Sequence, residues 1–406
     1  MRRSGPCILE PMLTLDQARS KLADLASPLR PVDLELGAAL GHRIAVQPRS
    51  DVAAPPHDVS AMDGYAVRHG DLLGGDALTV SFEITAGSVP TALPEGRAAR
   101  IFTGAVLPAG ADTVVQQELA VVGEDGRVRL ETVARGAAVR YRGEVMDSGQ
   151  ELARVGDPLT PQRMAVLAAG GAHRVSVYPR PRVAIVITGS ELVPASAVPG
   201  PGQIRNSNGP LLDALVRSAR CVPPLELEAK DVQEDLAEAI GKALKEADLV
   251  LTSGGVSVGD YDLVPDVVRS LGGEVVFHKV AVKPGKPILA ARVGRRWLLG
   301  LPGNPVSVLA GWRMFGLPLA SALGGDADAF DEVPQPRLLR EAVEVKGWRV
   351  ELRPAVIDAG DGVRVIQWKG SHDLLAAAGA NSLARLDARR TYSEGEEVPC
   401  YPLELA

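Results

Sequence analysis

Leu249-Val-Leu-Thr-Ser253-Gly-Gly-Val-Ser-Val-Gly259-Asp-Tyr-Asp262 is the stretch on which the fold turns: an apolar strand over Leu249–Thr252 runs straight into a glycine-rich loop. Two more apolar strands end the same way. Val183–Thr188 leads into Thr188-Gly-Ser-Glu-Leu192, and Trp297–Leu301 leads into Gly300-Leu-Pro-Gly-Asn-Pro-Val-Ser307. Helical patterns fill the gaps. Asn208–Arg220 carries Leu211, Leu212, Leu215 and Val216, while Asp231-x-x-Glu234 reads as the cap of a helix with Leu236, Ile240 and Leu244 on one face. Apolar strands alternating with amphipathic helices predict an α/β domain with a parallel-type sheet over 181–325. In open α/β sheets ligands bind beyond the carboxyl ends of strands, so the three loops define one crevice. Their glycines expose backbone N–H groups and admit positive φ, which suits a phosphate or another oxyanion. A lone glycine loop is as often a tight turn, but three converging ones argue for a site. None is a nucleotide P-loop, because Gly254–Gly259 is followed by Asp260 and not by Lys-Ser/Thr.

Counter-charge lies nearby in Lys279-Val-Ala-Val-Lys283-Pro-Gly-Lys286-Pro287. Taken as extended chain, Lys279 and Lys283 point to one side, so both ammonium groups can meet one anion. By themselves such lysines are usually solvated. The acidic candidates are Asp63, Glu191, Asp231 and Asp262, each beside glycine or at a strand end. Oxygen ligands of this kind suit Mg²⁺, which takes one or two protein carboxylates and shares substrate phosphates. Asp231 also reads as a plain helix N-cap. The six histidines form no H-x-x-x-H or zinc-like cluster, and satisfied or surface roles are expected for them.

Outward from the crevice, the chain of 406 residues is too long for one core and predicts several domains. Thr14-x-x-Gln17 reads as a capping box opening a helix, with Leu15, Ala18, Leu22 and Leu25 on one stripe up to Pro28. From 51 to 140, short apolar stretches broken by Gly and Pro predict a β-rich inserted domain. Segments 12–50 and 141–180 flank it as one helical and extended domain. Val343–Leu352 and Val363–Trp368 predict a β-rich C-terminal domain over 330–406.

Composition removes several function classes. A net charge of −6 and only 4% aromatic residues disfavour nucleic-acid binding. Cys7, Cys221 and Cys400 are far apart and form neither a zinc ribbon nor a disulfide framework, which fits a reducing cytoplasm. Ile8-Leu9-Glu10-Pro11 interrupts any hydrophobic leader, so neither export nor membrane association is expected.

Six motifs in order resemble one family: Ser60-Ala-Met-Asp-Gly-Tyr-Ala-Val67, Thr103-Gly-Ala, Thr188-Gly-Ser-Glu-Leu192, Ser253-Gly-Gly-Val-Ser-Val-Gly259, Lys283-Pro-Gly-Lys-Pro287 and Leu301-Pro-Gly-Asn-Pro-Val-Ser307. That family is the molybdopterin molybdenumtransferases, comprising the MoeA proteins and the E domain of gephyrin. The resemblance covers about Leu15 to Pro402. It implies four domains, the last β-barrel-like, and a homodimer whose site is shared between subunits. It implies insertion of molybdenum from molybdate into adenylylated molybdopterin, with Mg²⁺-dependent release of AMP, in contact with the molybdopterin adenylyltransferase and apo-molybdoenzymes. Carried over residue by residue, the catalytic set is Asp63, Asp262, Glu191, Lys279 and Lys283, with Glu191 and Asp262 on the metal. The binding set is Thr103, Thr188, Gly189, Ser253, Gly254, Gly255, Ser257, Gly259, Asp231, Pro302, Gly303, Asn304 and Pro305. Arg142-Gly-Glu144-Val145-Met-Asp147 departs from the pattern, with Val145 where the family has aspartate. Asp147 or Glu144 substitutes, or that carboxylate is dispensable. The rival implication is a non-catalytic scaffold of the gephyrin E-domain type.

Overall fold

The computed structural model describes residues 12–256 and 263–403. Cα packing divides the chain into two compact units, Asp33–Val177 and the remainder.

In the larger unit a six-stranded sheet runs in the order Val222–Ala229, Arg182–Thr188, Leu249–Ser253, Arg296–Leu301, Leu289–Val293, Glu274–His278. The first four strands are parallel, as the alternating pattern predicts. The last two are antiparallel to their neighbours, so the sheet is mixed. The cause is local: Val293 pairs with Arg296 across Gly294 and Arg295, and only antiparallel strands can be joined by two residues. The central strands are apolar throughout because both faces are covered. Val183, Ile185 and Ile187 enter one core and Ala184 and Val186 the other. The helix Asn208–Ser218 covers the first face through Leu212 and Val216, and Gln233–Glu246 covers the second through Leu236 and Ile240.

The helix Leu15–Leu25 opens with the expected reciprocal capping box and buries Leu15, Ala18 and Leu22, whereas Leu25 is 40% exposed. It docks on a long helical run, Pro305–Leu323, whose middle Trp312–Gly316 is widened to a π-helical turn. Pro318 accounts for the widening, since a proline has no N–H to give to the carbonyl four residues back and its ring crowds that carbonyl. Leu317 instead donates to Trp312 O. The orphaned carbonyl of Met314 accepts from Arg19 Nη1 at 2.7 Å, and Arg19 Nη2 donates to Phe330 O at 2.9 Å. Arg19 is buried at 7% exposure, and that desolvation lowers its pKa from the ordinary value. The Pro305–Leu323 run is long and apolar enough to span a membrane, yet 89% of it is buried inside the protein, which makes it a core helix.

Beyond it, Val350–Ile357, Gly362–Val365, Gln335–Leu339, Glu397–Pro402 and Ser382–Leu386 form a five-stranded ring closed by the pairing of Ser382–Leu386 with Val350–Ile357. This is the barrel expected at the C-terminus, filled by Leu339, Val363, Ala384 and Val398. The β-rich stretch expected at Val343–Leu352 holds two strands, Val343–Val345 and Val350–Ile357, separated by a bend at 347–349. Val282–Lys283 adds to the ring in parallel, with Lys283 opposite Glu351.

The smaller unit carries a six-stranded sheet ordered Thr113–Gln116, Gly64–Val67, Arg97–Ile101, Leu78–Ile84, Arg127–Leu130, Ala120–Val122. The strands Val32–Glu35 and Arg174–Tyr178, where the chain enters and leaves this unit, are neighbours in a separate three-stranded sheet. Around Ile44, Leu159, Leu167 and Val177 lies a further core.

Candidate active site

The three glycine and proline loops meet at the carboxyl edge of the parallel strands, where they wall a cavity of about 710 Å³. Thr188, Gly189 and Glu191 come from the first loop, Gly254 and Gly255 from the second, and Pro302, Gly303 and Asn304 from the third. Gly254 is the position where glycine is required: its φ is +102°, and a Cβ would sit 2.7 Å from Thr188 O. The second and third strands are also tied at their ends, Gly254 N–H donating to Leu301 O at 3.0 Å.

Asp231 lines the same cavity. It does not cap the following helix as the sequence pattern suggests: that helix begins at Gln233 with Val232 as its uncapped N-cap. The Asp231 carboxylate instead accepts from Thr188 Oγ1 and from Ser190 N–H, the latter at 3.0 Å, and so pins the first loop. Ser253 is buried behind the loops, its Oγ accepting from Asn208 Nδ2 at 2.8 Å, while the same amide donates to Gly303 O at 2.7 Å. Asn208 therefore clamps the second loop to the third. Pro305 fills the first turn of the helix Pro305–Gly311, where a missing N–H costs nothing.

The lysines are arranged differently from the extended-chain expectation. Lys279 has φ +72° between the strands Glu274–His278 and Val282–Lys283, so the alternation that would put Lys279 and Lys283 on one side is broken. Lys283 and Lys286 line the cavity, joined by Arg349 from the barrel, and Lys279 is not among its lining residues. Lys283 Nζ donates to Glu351 Oε1 at 3.0 Å. Arg349 Nη1 donates to Val282 O at 3.0 Å, and the Asn304 side chain donates to Ser371 Oγ at 2.9 Å. Arg349, Trp368 and Ser371 are lining residues that no local motif marks.

Asp63 and Thr103 belong to the smaller unit and pair with each other. Asp63 Oδ1 accepts from Thr103 N–H and Thr103 Oγ1, both at 2.8 Å, which holds the Asp63 carboxyl below the ordinary carboxylate range. At the departure from the family pattern, Val145 is 71% exposed and Glu144 accepts from Tyr141 N–H at 2.9 Å. Ser257, Gly259 and Asp262 lie outside the described residues. Among the described residues no group of three or more His, Cys, Asp or Glu is placed to hold a metal ion. Glu191 alone fits only the Mg²⁺ mode that draws most oxygens from substrate and water.

Three family profiles match in succession: MoeA N-terminal region (domain I and II) over residues 13–171, "Probable molybdopterin binding domain" over 184–322, and MoeA C-terminal region (domain IV) over 338–403. A relative from Nostoc sp., named molybdopterin molybdenumtransferase, is 39% identical over 380 residues, covering 90% of this chain and 87% of its own. The chain belongs to the MoeA family. A MoeA-family relative of the same name from Haemophilus influenzae is 37% identical over 77% of this chain and 78% of its own. Among solved structures, the molybdopterin biosynthesis MoeA protein from Pyrococcus horikosii superposes with a TM-score of 0.84 at 29% identity, covering 97% of this chain and all of that one. MoeA relatives thus match the chain along its whole architecture, barrel included.

Proposed function

We infer that this chain is a molybdopterin molybdenumtransferase, an enzyme of molybdenum cofactor biosynthesis that uses molybdopterin and molybdate as substrates. The carrying observation is the cavity in which Lys283, Lys286 and Arg349 face the glycine loops, set in a protein of net charge −6. A local cluster of three cations in an acidic chain is a site for anionic ligands. Relatives bearing this name, matched over more than three quarters of their own length, favour the catalytic reading over a scaffold.

The finer reading is that adenylylated molybdopterin is the form used. The backbone amide of Gly255 faces its phosphates, the Gly254 amide being spent on Leu301 O, and Lys283, Lys286 and Arg349 hold molybdate. Asp231 keeps Thr188 and Ser190 in place, and Pro302 keeps the third loop stiff, so the site is preorganised. Glu191 and Asp262 would hold Mg²⁺ together with substrate oxygens, where the ion would neutralise phosphoryl charge. At the family's missing aspartate we assign the role to exposed Asp147, since Glu144 is engaged by Tyr141; full activity of Asp147→Asn would defeat that assignment. A homodimer with Asp63 and Thr103 completing the partner's site, cytoplasmic residence, and handover contacts with the adenylyltransferase and apo-molybdoenzymes belong to the same reading. So does the division into 12–50 with 141–180, 51–140, 181–325 and 330–406, which separate cores support except at the helix Leu15–Leu25, whose buried face shares a core with the α/β domain.

The test is in vitro synthesis from purified chain, adenylylated molybdopterin and molybdate, read as AMP release and as activation of an apo-molybdoenzyme. Absence of oxyanion-dependent AMP release from folded protein would reject the reading. A tungstate arm reports which oxyanion is preferred.

A further inference from the structure

The barrel contributes a carboxylate that no motif marks. Glu351 is only 2% exposed, and removing a carboxylate from water is costly unless charge partners and hydrogen bonds satisfy it. Both of its oxygens are engaged. Oε1 accepts from Lys283 Nζ at 3.0 Å, and Oε2 accepts from Arg353 Nε at 2.6 Å. Arg353 is itself held, its Nη2 donating to Glu344 O at 2.9 Å. Strand register puts Glu351 directly opposite Lys283. Lysine is a flexible point charge on a four-carbon stem, and Lys283 is half-exposed at the cavity. A fixed, buried carboxylate one strand away removes that freedom. Because Glu351 is shared between Lys283 and Arg353, the three groups together keep one positive charge, so the site stays cationic.

We propose that Glu351 is a positioning residue for the reaction: it acts through Lys283, holding that ammonium at the cavity wall where the oxyanion reacts. This rests on the molybdenumtransferase reading, and the two can fail separately. Glu351→Gln removes the charge and keeps the shape. Its kcat should fall about tenfold to a hundredfold, as expected for misplacing a reacting group's partner by about an ångström. The molybdate concentration for half-saturation should stay equal or drop, because the cavity gains net positive charge. A merely structural role would give no such split. In a Lys283→Ala background, Glu351→Gln should lower kcat no further. An unchanged kcat in Glu351→Gln, or an equal further loss in the Lys283→Ala background, would overturn the proposal. Should Glu351→Gln not fold, Glu351→Asp keeps the charge but withdraws it by one methylene; it should show the same split, and wild-type kcat in that variant would overturn the proposal. Inactive wild-type protein would defeat the functional reading alone. In that case acylation of Lys283 by a limiting amine-reactive ester, followed by mass spectrometry, still decides the point: it should be faster in Glu351→Gln, and an equal rate would overturn the proposal.

Discussion

At the scale of single residues, Lys283 serves two partners. From the sequence it is a cleft lysine whose loss costs little stability, but its ammonium also compensates the buried Glu351. Lys283→Ala should therefore raise the molybdate concentration needed for turnover and also lower stability. Leaving a buried acceptor unpaired costs about 1–3 kcal/mol. The lower end applies, because Arg353 still holds one oxygen and the lysine is 44% exposed. Urea unfolding with an unchanged slope and an unchanged midpoint would contradict this. Asp63 allows a cleaner titration. Hydrogen bonds from Thr103 favour its ionised form, so Thr103→Val, which deletes the Oγ1 donor, should move the Asp63 midpoint upward toward the ordinary ~3.9. Any stability this pair adds is present above that ordinary value and is lost as pH falls through the lower folded-state midpoint. Carboxyl-carbon NMR reads the shift, and equal midpoints in the two proteins would refute it.

Among elements, the seam between the helix Leu15–Leu25 and the core helical run Pro305–Leu323 depends on a missing hydrogen. Pro318 leaves Met314 O without its helical donor, and Arg19 supplies one. Arg19→Met should cost about 1–3 kcal/mol, the penalty for a buried carbonyl left unsatisfied. Pro318→Ala restores an N–H four residues on and should recover part of that loss in the Arg19→Met background. No recovery in thermal or urea midpoints would mean that Arg19 stabilises by packing or through Phe330 O instead. The case also marks where sequence reading stops. The capping box at Thr14 and Gln17, the strand ending at Thr188 and the glycine loop after Ser253 were legible because each depends on neighbours within a few residues. Arg19 to Met314, Lys283 to Glu351 and Asn304 to Ser371 join residues 67 or more positions apart and leave no periodic trace. The misreadings share that origin. Asp231 has the residue type of a cap but accepts from a threonine at the end of a distant strand, and the same-side placement of Lys279 and Lys283 needs extended chain where the backbone at Lys279 turns left-handed.

For the whole molecule, the proposed sharing of each site between two subunits makes a quantitative claim. Asp63→Ala and Asp262→Ala homodimers should each be nearly inactive. After subunit exchange, a mixed two-fold dimer carries both lesions in one site and none in the other. With random exchange half the dimers are mixed, so about a quarter of all sites are intact and activity should recover to about that level. Folded variants that exchange subunits by mass spectrometry but recover nothing would exclude sharing.

The pairing of Val32–Glu35 with Arg174–Tyr178 has a consequence for how the gene can be cut. Where the chain leaves for the smaller unit and where it returns are side-by-side strands, with Leu36 N–H donating to His173 O at 2.9 Å. Neighbouring strands lie about 5 Å apart, a gap that a few glycines span. The larger unit has three cores made wholly of its own residues. Replacing 36–173 with a short glycine linker should therefore leave a shortened protein that still melts cooperatively and keeps the loop cavity. It would bind oxyanion yet turn nothing over, since Asp63 and Thr103 leave with the excised piece. A linker variant that is unfolded by circular dichroism would show that the insertion is part of the scaffold and not a passenger.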